Sequence, residues 1–586
     1  MAINVIDLLI KNINIYNSYF KKFSNADVWI LDEKIYYIDE KKTGNAKAKE
    51  VLDGTGLSMV PGLIDIHMHI ESSMMTPKAF SDYLVSCGVT TVVAEPHEMA
   101  NVNGIDGILD MIRAGENSLI DILYGIPSCV PSTDTRFETT GGCIRCEEME
   151  KLKEHPSVVC VGEVMCYRQI IRDNDLEIKR FLEKVRRTDS FFPIEGHCPS
   201  LLDLDLAKFL FLGINGDHTE HTLEELRQRF AGGMFVEIQE KMLRKEVLDF
   251  IAENDLFEHF SFVTDDAMAD VLCEYGHLDE LVRKAVALGM APEQAIYNAS
   301  FTAARRMNLY DRGSLAPGKL ADFVLLDNLE TFSIAATYKN GRVVYQKESP
   351  SPVEDQNTRF GEAYYHSIKL PLQTEDCLQI VTDAPDGIVQ VRAIEIKDGG
   401  TKTKEKIVEM EVMDGQLHWQ ESGCLLTAVF ERYGKNGNIG YGFLCGDCHK
   451  RGAVASSFAH DSHNILVAGA NTKDMLAALN HVITLQGGMV VTDQGVRKAE
   501  LQLNIGGILS AWPARKIGQG LKQVREALIN LGYCHYNPIM SLGTITLPAS
   551  PKLKLTDKGL IDVEHSCIVP LILPRQVPSG NENNLR

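Results

Sequence analysis

Four side chains that can bind metal ions alternate along residues 63–71. They are Asp65, His67, His69 and Glu71, and the residues between them are apolar. This period of two predicts a β-strand with one apolar face and one face of ligand side chains. Two imidazoles two residues apart on a strand point the same way, so His67 and His69 can reach one cation. The same pair also fits a half-buried strand with hydrogen-bonded histidines, and the metal hypothesis therefore depends on further ligands downstream.

Further histidines and carboxylates follow short apolar runs later in the chain. They are Glu95, His97, Glu163, His197, His218 and Asp265. Four imidazoles and two carboxylates drawn from these residues and the pair His67 and His69 would suit a pair of divalent ions if they converge on one place. Mixed histidine and carboxylate ligation fits zinc, iron or manganese, and hard carboxylates favour the last two. Thiolates are absent from the set, which argues against a structural zinc site of the cysteine type.

The apolar runs before these residues predict eight strands with helix-like segments between them. The predicted strands are 63–69, 89–95, 120–126, 158–163, 191–197, 213–218, 233–239 and 260–265. Eight strands with crossovers over about 250 residues predict an α/β fold of the (β/α)8 barrel type, here 63–312, with working side chains at the C-terminal ends of the strands. A doubly wound open sheet is the alternative, although its Gly-rich dinucleotide turn is missing after the first strand. One of the intervening helices is predicted at 175–187.

Shorter strand-like runs flank the predicted barrel on both sides. We expect 1–62 and 313–350 to form one small β-sandwich, because the first part alone offers too little sheet to be stable. The Asn340-Gly341 pair predicts a hairpin in the second part.

The last part of the chain has a different pattern. Residues 346–358 are polar and contain proline, which indicates a linker. Beyond it, strand-like runs precede two predicted helices near 472–486 and 514–531. We therefore expect 351–586 to form a C-terminal α+β domain.

The composition excludes several classes of protein. The chain of 586 residues has a formal net charge of −21 and a pI near 5.3, which argues against nucleic acid or an anionic membrane as a partner. No apolar run approaches the roughly 20 residues of a membrane helix, and we expect no signal peptide in residues 1–20. Fourteen cysteines without a framework spacing predict free thiols in a reducing cytoplasm.

Several motifs around the candidate ligands resemble a known family. The segments Pro61-Gly-Leu-Ile-Asp-Ile-His-Met-His69 and Gly313-Ser-Leu-Ala-Pro-Gly-Lys-Leu-Ala-Asp-Phe323 resemble the metal-dependent amidohydrolase superfamily. Within it, the chain is similar almost end to end to the bacterial adenine deaminases. The motifs that carry this second resemblance are His69-Ile-Glu-Ser-Ser73, Glu95-Pro-His-Glu98, Ala100-Asn-Val102, Gly162-Glu163, Gly196-His197, Asp217-His218, Thr264-Asp-Asp266 and Ala459-His-Asp-Ser-His-Asn464.

The resemblance implies two divalent metal ions per chain, manganese or iron(II), with zinc as the alternative. Their ligands would be His67, His69 and Asp265 for one ion, His197 and His218 for the other, and Glu163 as the bridge. Many relatives bridge the ions with a carbamylated lysine, and a glutamate does the same without needing carbon dioxide. His221 could be mistaken for a ligand, but His218 directly follows Asp217 as in the family motif.

The implied reaction is the hydrolytic deamination of adenine to hypoxanthine and ammonia, a step of purine salvage in the cytoplasm. A metal-bridging hydroxide would attack C6 of the purine, since two cations lower the pKa of a shared water from about 15.7 toward ~7. Asp265 would carry the proton to the leaving amino group. Glu95 and Glu98 would contact purine nitrogens or carry further protons. The resemblance also implies a homo-oligomer.

Two segments depart from the family pattern. Where family members have Met-x-Arg-Glu-Gly-Ser on the seventh strand, this chain has Met234-Phe-Val-Glu-Ile-Gln-Glu240, and Ala267-Met-Ala-Asp270 replaces an Arg-His-Pro-Asp-like continuation. The predicted ligands are intact, but Glu237 and Gln239 could change the substrate. A hydrolase of a cyclic amide or another aminated heterocycle is therefore one alternative, and a non-catalytic barrel used as a binding protein is the other. The segment His460-Asp-Ser-His463 is a hydrogen-bonded turn, a cover over the barrel mouth or a further cation site.

Overall fold

A computed structural model describes residues 5–173, 176–349, 360–397 and 401–574. These residues belong to two compact units. The first comprises Met1–Val130, Gly142–Phe360 and Leu509–Gln519, and the second comprises Pro131–Gly141, Gly361–Ile508 and Gly520–Arg586. The linker predicted at 346–358 lies mostly outside the described residues.

Eight short parallel strands form the centre of the first unit, and each lies where a strand was predicted. Numbered in chain order, barrel strands 1 to 8 are Leu63–Met68, Val89–Ala94, Asp121–Ile126, Val158–Val164, Ile194–Gly196, Gly216–Asp217, Phe235–Ile238 and Phe260–Phe262. Strands 1 to 5 pair in order as one sheet and strands 6 to 8 as another. Backbone hydrogen bonds from Asn215 N to Ile194 O (3.1 Å) and from Asp265 N to His67 O (3.2 Å) connect the two sheets at both edges. The arrangement is an α/β barrel of the TIM type.

Helices occupy the segments after the barrel strands. They are Pro77–Leu84, His97–Gly115, Cys146–Lys153, Tyr167–Ile170, Glu177–Thr188, Asp203–Phe211, Leu223–Ala231, Lys245–Glu253, Ala269–Tyr275, Leu278–Ala287, Pro292–Asn298 and Phe301–Arg306. The helix predicted at 175–187 begins at Glu177, and Asp175 lies outside the described residues. Polar side chains cap the first turn of some of these helices. Thr222, for example, forms a capping box with Glu225 at the first turn of its helix.

Strands from both flanks of the barrel sequence lie in one mixed sheet. In chain order they are Ile6–Asn17, Lys22–Leu31, Lys34–Asp39, Ala48–Asp53, Ser58–Pro61, Phe323–Asn328, Ser333–Lys339 and Arg342–Gln346. Ser58–Pro61 pairs antiparallel with Phe323–Asn328 and so joins the two flanks. The hairpin predicted at Asn340-Gly341 is confirmed. Both residues have positive φ angles, 52° and 74°, as a two-residue type I′ turn requires.

A nine-stranded sheet is the centre of the second unit. Its strands are Gly387–Ile396, Thr403–Met413, Gln416–His418, Leu425–Phe430, Ile439–Gly446, Ala453–Ser456, Ile465–Gly469, Gly488–Asp493 and Val496–Gln502. A three-stranded sheet follows, with strands Leu553–Thr556, Gly559–Asp562 and Cys567–Val569. The two helices predicted in this part of the chain are confirmed as Thr472–Leu485 and Ala514–Asn530, and a short helix at Pro538–Gly543 follows. In the part of the chain that the structure describes, no helix is long and apolar enough to cross a membrane.

Candidate metal centre

The ends of barrel strands 1 and 8 bring three of the predicted ligands together. Asp265 Oδ1 lies 3.8 Å from His67 Nε2 and 3.5 Å from His69 Nε2, and all three residues are buried. The backbone holds this arrangement, because Asp265 N donates to His67 O (3.2 Å) and His69 N donates to Asp265 O (3.4 Å). The three ligand atoms lie close enough to bind one metal ion.

A second group of ligands lies at the ends of strands 4, 5 and 6. Glu163 Oε2 lies 2.8 Å from His197 Nδ1 and 3.3 Å from His218 Nε2. The other oxygen of Glu163 lies 3.7 Å from His69 Nε2, in the first group. The His67 and His218 rings stack with centroids 3.8 Å apart. The six residues predicted as ligands are thus neighbours, and Glu163 stands between the two groups.

Hydrogen bonds with neighbouring residues orient the predicted ligands His67 and His69 at the end of strand 1. His69 Nδ1 lies 3.1 Å from the carbonyl oxygen of Glu95, so a proton on Nδ1 leaves Nε2 open toward Asp265 and Glu163. Asp65 accepts hydrogen bonds from His67 N (3.2 Å), Thr264 N (3.1 Å) and Thr264 Oγ1 (2.7 Å). It therefore ties the end of strand 8 to strand 1. Burial raises the pKa of Asp65 to about 7.

The charges and open nitrogens of these residues fit a divalent cation. Burial opposes ionisation of Glu163, but the hydrogen bond from His197 and the nearby imidazoles hold the pKa of that carboxyl well below its usual range. Burial, with His218 beside it, lowers the pKa of His67 well below its usual value, so this ring is neutral. His67 Nε2 and His97 Nδ1 are buried without a hydrogen-bond partner among the described residues. An ionised carboxylate beside neutral imidazoles with open nitrogens is a donor set for a metal ion.

Glu95, predicted to contact the substrate or carry protons, lies inside the barrel beside strand 4. Its Oε2 accepts a hydrogen bond from Glu163 N (3.2 Å). A side chain on Gly162 would collide with this carboxyl group, so the glycine is what leaves room for it. Burial and the charge of Glu163 raise the pKa of Glu95 well above its usual range. The carboxyl group is therefore a proton-bearing neighbour of the predicted bridge.

Glu98 and His97 lie in the first turn of the helix that follows strand 2. Glu98 Oε1 lies 3.7 Å from His97 Nε2, and His97 Nδ1 lies 3.6 Å from Glu163 Oε1. His97, His69 and Glu163 form a further ligand group. His97 was among the candidates that follow apolar runs but was left out of the predicted ligand set. Its position one residue after Pro96, at the C-terminal end of a barrel strand, was the available signal.

The seventh barrel strand adds a carboxyl group that was not predicted as part of the metal centre. Glu237 Oε2 lies 4.0 Å from His218 Nδ1, and Glu237, His67 and His218 form another ligand group. Gln239 Nε2 donates to the carbonyl oxygen of His218 (2.9 Å). Burial and the carboxyl of Glu195 raise the pKa of Glu237 well above its usual range.

His221, the alternative ligand, makes a different contact. Its Nε2 lies 3.0 Å from Asp217 Oδ2, which also accepts a hydrogen bond from Arg229 Nε (2.8 Å). Among the described residues, His221 belongs to none of the ligand groups.

The segment His460-Asp-Ser-His463 belongs to the second unit and is buried there. Tyr433 OH donates to the carbonyl oxygen of Ser462 (2.6 Å), and Thr546 Oγ1 donates to that of His460 (2.7 Å). These contacts agree with a hydrogen-bonded turn. The cover over the barrel mouth and the cation site stay predictions.

Comparisons with known proteins cover nearly the whole chain. Residues 58–344 match the amidohydrolase family, and residues 401–567 match the adenine deaminase C-terminal domain. The chain is 46% identical to the adenine deaminase of Clostridium perfringens over 569 residues, with 97% of this chain and 99% of that protein covered. It is 46% identical to adenine deaminase 2 of Shouchella clausii over 570 residues, with the same coverage.

A third relative extends the comparison to a more distant sequence. The adenine deaminase of Lactobacillus delbrueckii is 40% identical over 568 residues, which cover 97% of this chain and 99% of that protein. The amidohydrolase match and the groups of His, Asp and Glu side chains support a divalent metal in the barrel. The chain belongs to the adenine deaminase family within the amidohydrolases.

Proposed function

We propose that the chain hydrolyses adenine to hypoxanthine and ammonia, as a metal-dependent hydrolase acting on a C–N bond outside peptides. The observation that carries the proposal is the identity of 40% to 46% over nearly the full length to relatives that bear the name adenine deaminase. The ligand groups of the barrel are what such a hydrolase needs. The substrate is accordingly a small molecule.

Two divalent ions are the proposed cofactors, manganese or iron(II), with zinc as the alternative. One would be held by His67, His69 and Asp265, the other by His197 and His218, and Glu163 would bridge them. The short distances within each set support the assignment, and two carboxylates among the ligands favour the harder metals. Such ions lower the pKa of bound water and supply hydroxide near neutral pH.

Asp265 is the proposed proton carrier of the reaction. Despite burial, the hydrogen bond with His69 and the nearby imidazoles hold the pKa of Asp265 well below its usual range. The carboxylate is therefore ionised and able to accept the proton of the attacking water. Passing this proton to the exocyclic amino nitrogen lets ammonia leave in place of the strongly basic amide ion.

Two further carboxyl groups are proposed to act on the purine. Glu98 stands beside His97, and the protonated Glu95 beside Glu163. We assign both to contacts with purine nitrogens, and Glu98 also to a catalytic proton transfer. A cyclic amide or another aminated heterocycle is the second candidate substrate, favoured by the buried polar side chains of Glu237 and Gln239 on the seventh strand.

Three further properties of the protein are proposed. They are a homo-oligomer, a role in purine salvage and a cytoplasmic location, and the free state of all fourteen cysteines agrees with the last. The proposed domains are a β-sandwich from 1–62 and 313–350, the barrel at 63–312 and a C-terminal α+β domain at 351–586.

A substrate screen with a ligand variant tests the proposed function. The purified chain is loaded with Mn²⁺, and ammonia release is measured with adenine, other aminopurines and cyclic amides. We expect adenine turnover with two metal ions per chain, and we expect His197→Ala to lose turnover and one of the two ions. His259→Ala, at an exposed histidine of the same unit, is the matched control. If another compound is turned over and adenine is not, the proposal that adenine is the substrate is wrong.

A further inference from the structure

Glu237 is a buried acid that the proposed reaction does not use. It lies in the middle of barrel strand 7, its residue exposure is 0%, and apart from the neighbouring acid Glu195 its carboxyl group has no hydrogen-bond partner among the described residues. Burial of a carboxyl group that has no basic partner at hydrogen-bond distance is unfavourable. A leucine or a methionine would fill the same space without this cost, so packing alone does not explain the acid.

The basic side chain nearest to the Glu237 carboxyl among the ion pairs of the described residues is the imidazole of His218. Glu237 Oε2 lies 4.0 Å from His218 Nδ1, and the opposite nitrogen of the same ring, Nε2, lies 3.3 Å from Glu163. His218 Nδ1 is buried and has no hydrogen-bond partner among the described residues. A shift of either side chain by about 1 Å would bring the pair to hydrogen-bond distance.

A second acid, Glu195, also lies beside Glu237. Glu195, on strand 5, is ion-paired with Arg306 at 2.7 Å. A side chain at Gly216 would collide with the Glu195 carboxyl, so the glycine leaves this space to the acid. Arg306 is paired with Glu195 although its charge also reaches Glu237, and His218 Nδ1 is the nitrogen near Glu237 that has no hydrogen-bond partner among the described residues.

We propose that Glu237 is a positioning residue that holds the Nδ1 edge of His218, so that Nε2 faces Glu163 and the metal. Gln239 supports the same histidine from the backbone side, through its hydrogen bond to the His218 carbonyl oxygen (2.9 Å). Carboxylates that orient metal-bound histidines in this way affect metal affinity by about 10–100-fold. The inference deepens the proposed function, because it rests on His218 as a ligand.

Metal binding measured apart from turnover tests this role. Free Mn²⁺ is followed by electron paramagnetic resonance while the full chain is titrated with Mn²⁺ alone. We expect Glu237→Leu to weaken the binding of one of two ions by about 10–100-fold. Glu237→Gln should weaken it less, since an amide oxygen can still accept a hydrogen bond from Nδ1. Glu225→Gln, a carboxyl-to-amide change at a helix N-terminus, is the matched control and should bind Mn²⁺ as the unmodified chain does.

The kinetic readout separates positioning from damage to the fold. At saturating Mn²⁺ we expect kcat to fall in Glu237→Leu while KM for adenine stays unchanged, with Glu237→Gln between this variant and the unmodified chain. Unchanged Mn²⁺ affinity in both variants would overturn the role of Glu237, and so would an equal loss in both. A chain that binds two Mn²⁺ ions but does not deaminate adenine would sink the proposed function, while the Mn²⁺ titration would still decide the role of Glu237.

Discussion

Two buried glutamates, Glu163 in the barrel and Glu431 in the second unit, show how differently a protein can surround a carboxylate. Glu431 accepts hydrogen bonds from backbone N–H groups of the loop that follows it. The donors are Tyr433 (2.5 Å), Lys435 (3.0 Å), Asn436 (3.2 Å) and Gly437 (3.1 Å). Glu163 faces the imidazoles of His197 and His218. The first carboxylate holds a turn, while the second stands among groups that can bind a ligand.

The two acids differ in whether polar atoms near them lack hydrogen-bond partners. Near Glu163, His67 Nε2, His97 Nδ1 and His218 Nδ1 are buried without a hydrogen-bond partner among the described residues. Native proteins seldom leave buried polar atoms in this state, and each unsatisfied group costs about 1–3 kcal/mol. Their concentration at the ends of the barrel strands therefore indicates a ligand, whereas both carboxylate oxygens of Glu431 already accept hydrogen bonds.

Among the barrel variants, removal of the proposed proton carrier Asp265 should have the largest effect, and this effect is on kcat. We expect Asp265→Ala to lower kcat for adenine by about 10²–10⁴-fold, because Asp265 is the proposed acceptor of the proton of the attacking water. Ammonia release at saturating Mn²⁺ measures it, with Asp249→Ala at an exposed helix position as the control. Near-normal turnover in Asp265→Ala would reject the role of this residue.

The second unit contains a buried lysine, and the pH dependence of the free energy of unfolding should show how much the burial of its charge destabilises the fold. Burial lowers the pKa of Lys554 to about 7, although Nζ donates to the carbonyl oxygens of Thr401 (2.5 Å) and Thr544 (2.9 Å). Between pH 7 and 10.5 the unfolded chain binds more protons at this lysine than the folded chain. The free energy of unfolding should therefore rise with pH in this window, by up to about 5 kcal/mol at 1.36 kcal/mol per pKa unit.

The variant Lys554→Met isolates this contribution. Urea unfolding of the full chain at several pH values gives the difference between the two proteins. We expect the unmodified chain to gain stability relative to Lys554→Met from pH 7 to pH 10, and to show a constant difference below pH 6. A difference that does not change across this range would mean that the lysine remains protonated in the folded state.

The local pattern of the sequence was enough to predict the barrel strands and the histidines and carboxylates at their ends, whereas the assignment of ligands came from the family resemblance and stays a prediction. Alternation in residues 63–71 marks a strand with His67 and His69 on one face, and a polar residue at the end of an apolar run marks Glu163. Both signals are local, because a strand buries one face and ends at the working edge of the barrel. They therefore need no knowledge of which strands are neighbours.

Other features depend on contacts between distant parts of the chain. Strand Ile6–Asn17 was not predicted, and its pairing with Lys22–Leu31 shifts register between Ile10 and Ile13. The segments Pro131–Gly141 and Leu509–Gln519 each belong to the unit other than that of their neighbours in sequence, which no composition shift marks. The approach of Glu237 to His218 likewise appears only when strands 6 and 7 are side by side.

Substitution of Asp65 tests whether metal binding in the barrel depends on residues that hold the ligands in place without binding the metal themselves. Its carboxylate holds the backbone of His67 and both polar groups of Thr264, so Asp65→Ala should let strand 8 move relative to strand 1. We expect Mn²⁺ affinity to fall by about 10–100-fold, measured by titration of the full chain. Thr264→Val, which removes one of the three hydrogen bonds, should have a smaller effect. Equal affinity in Asp65→Ala and the unmodified chain would limit the site to its direct ligands.

Glu431→Ala provides the corresponding test of the second unit and should have the smallest effect. The loss of the carboxylate leaves four backbone N–H groups to find water, and we expect the free energy of unfolding to fall by about 1–3 kcal/mol. Glu421→Ala, at an exposed position, should stay within about 0.5 kcal/mol. Neither variant should change the affinity for Mn²⁺, because the role of Glu431 ends with its own loop. A loss of Mn²⁺ affinity in Glu431→Ala would mean that a carboxylate whose oxygens are already hydrogen-bonded can also affect metal binding. The proposed difference between Glu431 and Glu163 would then be wrong.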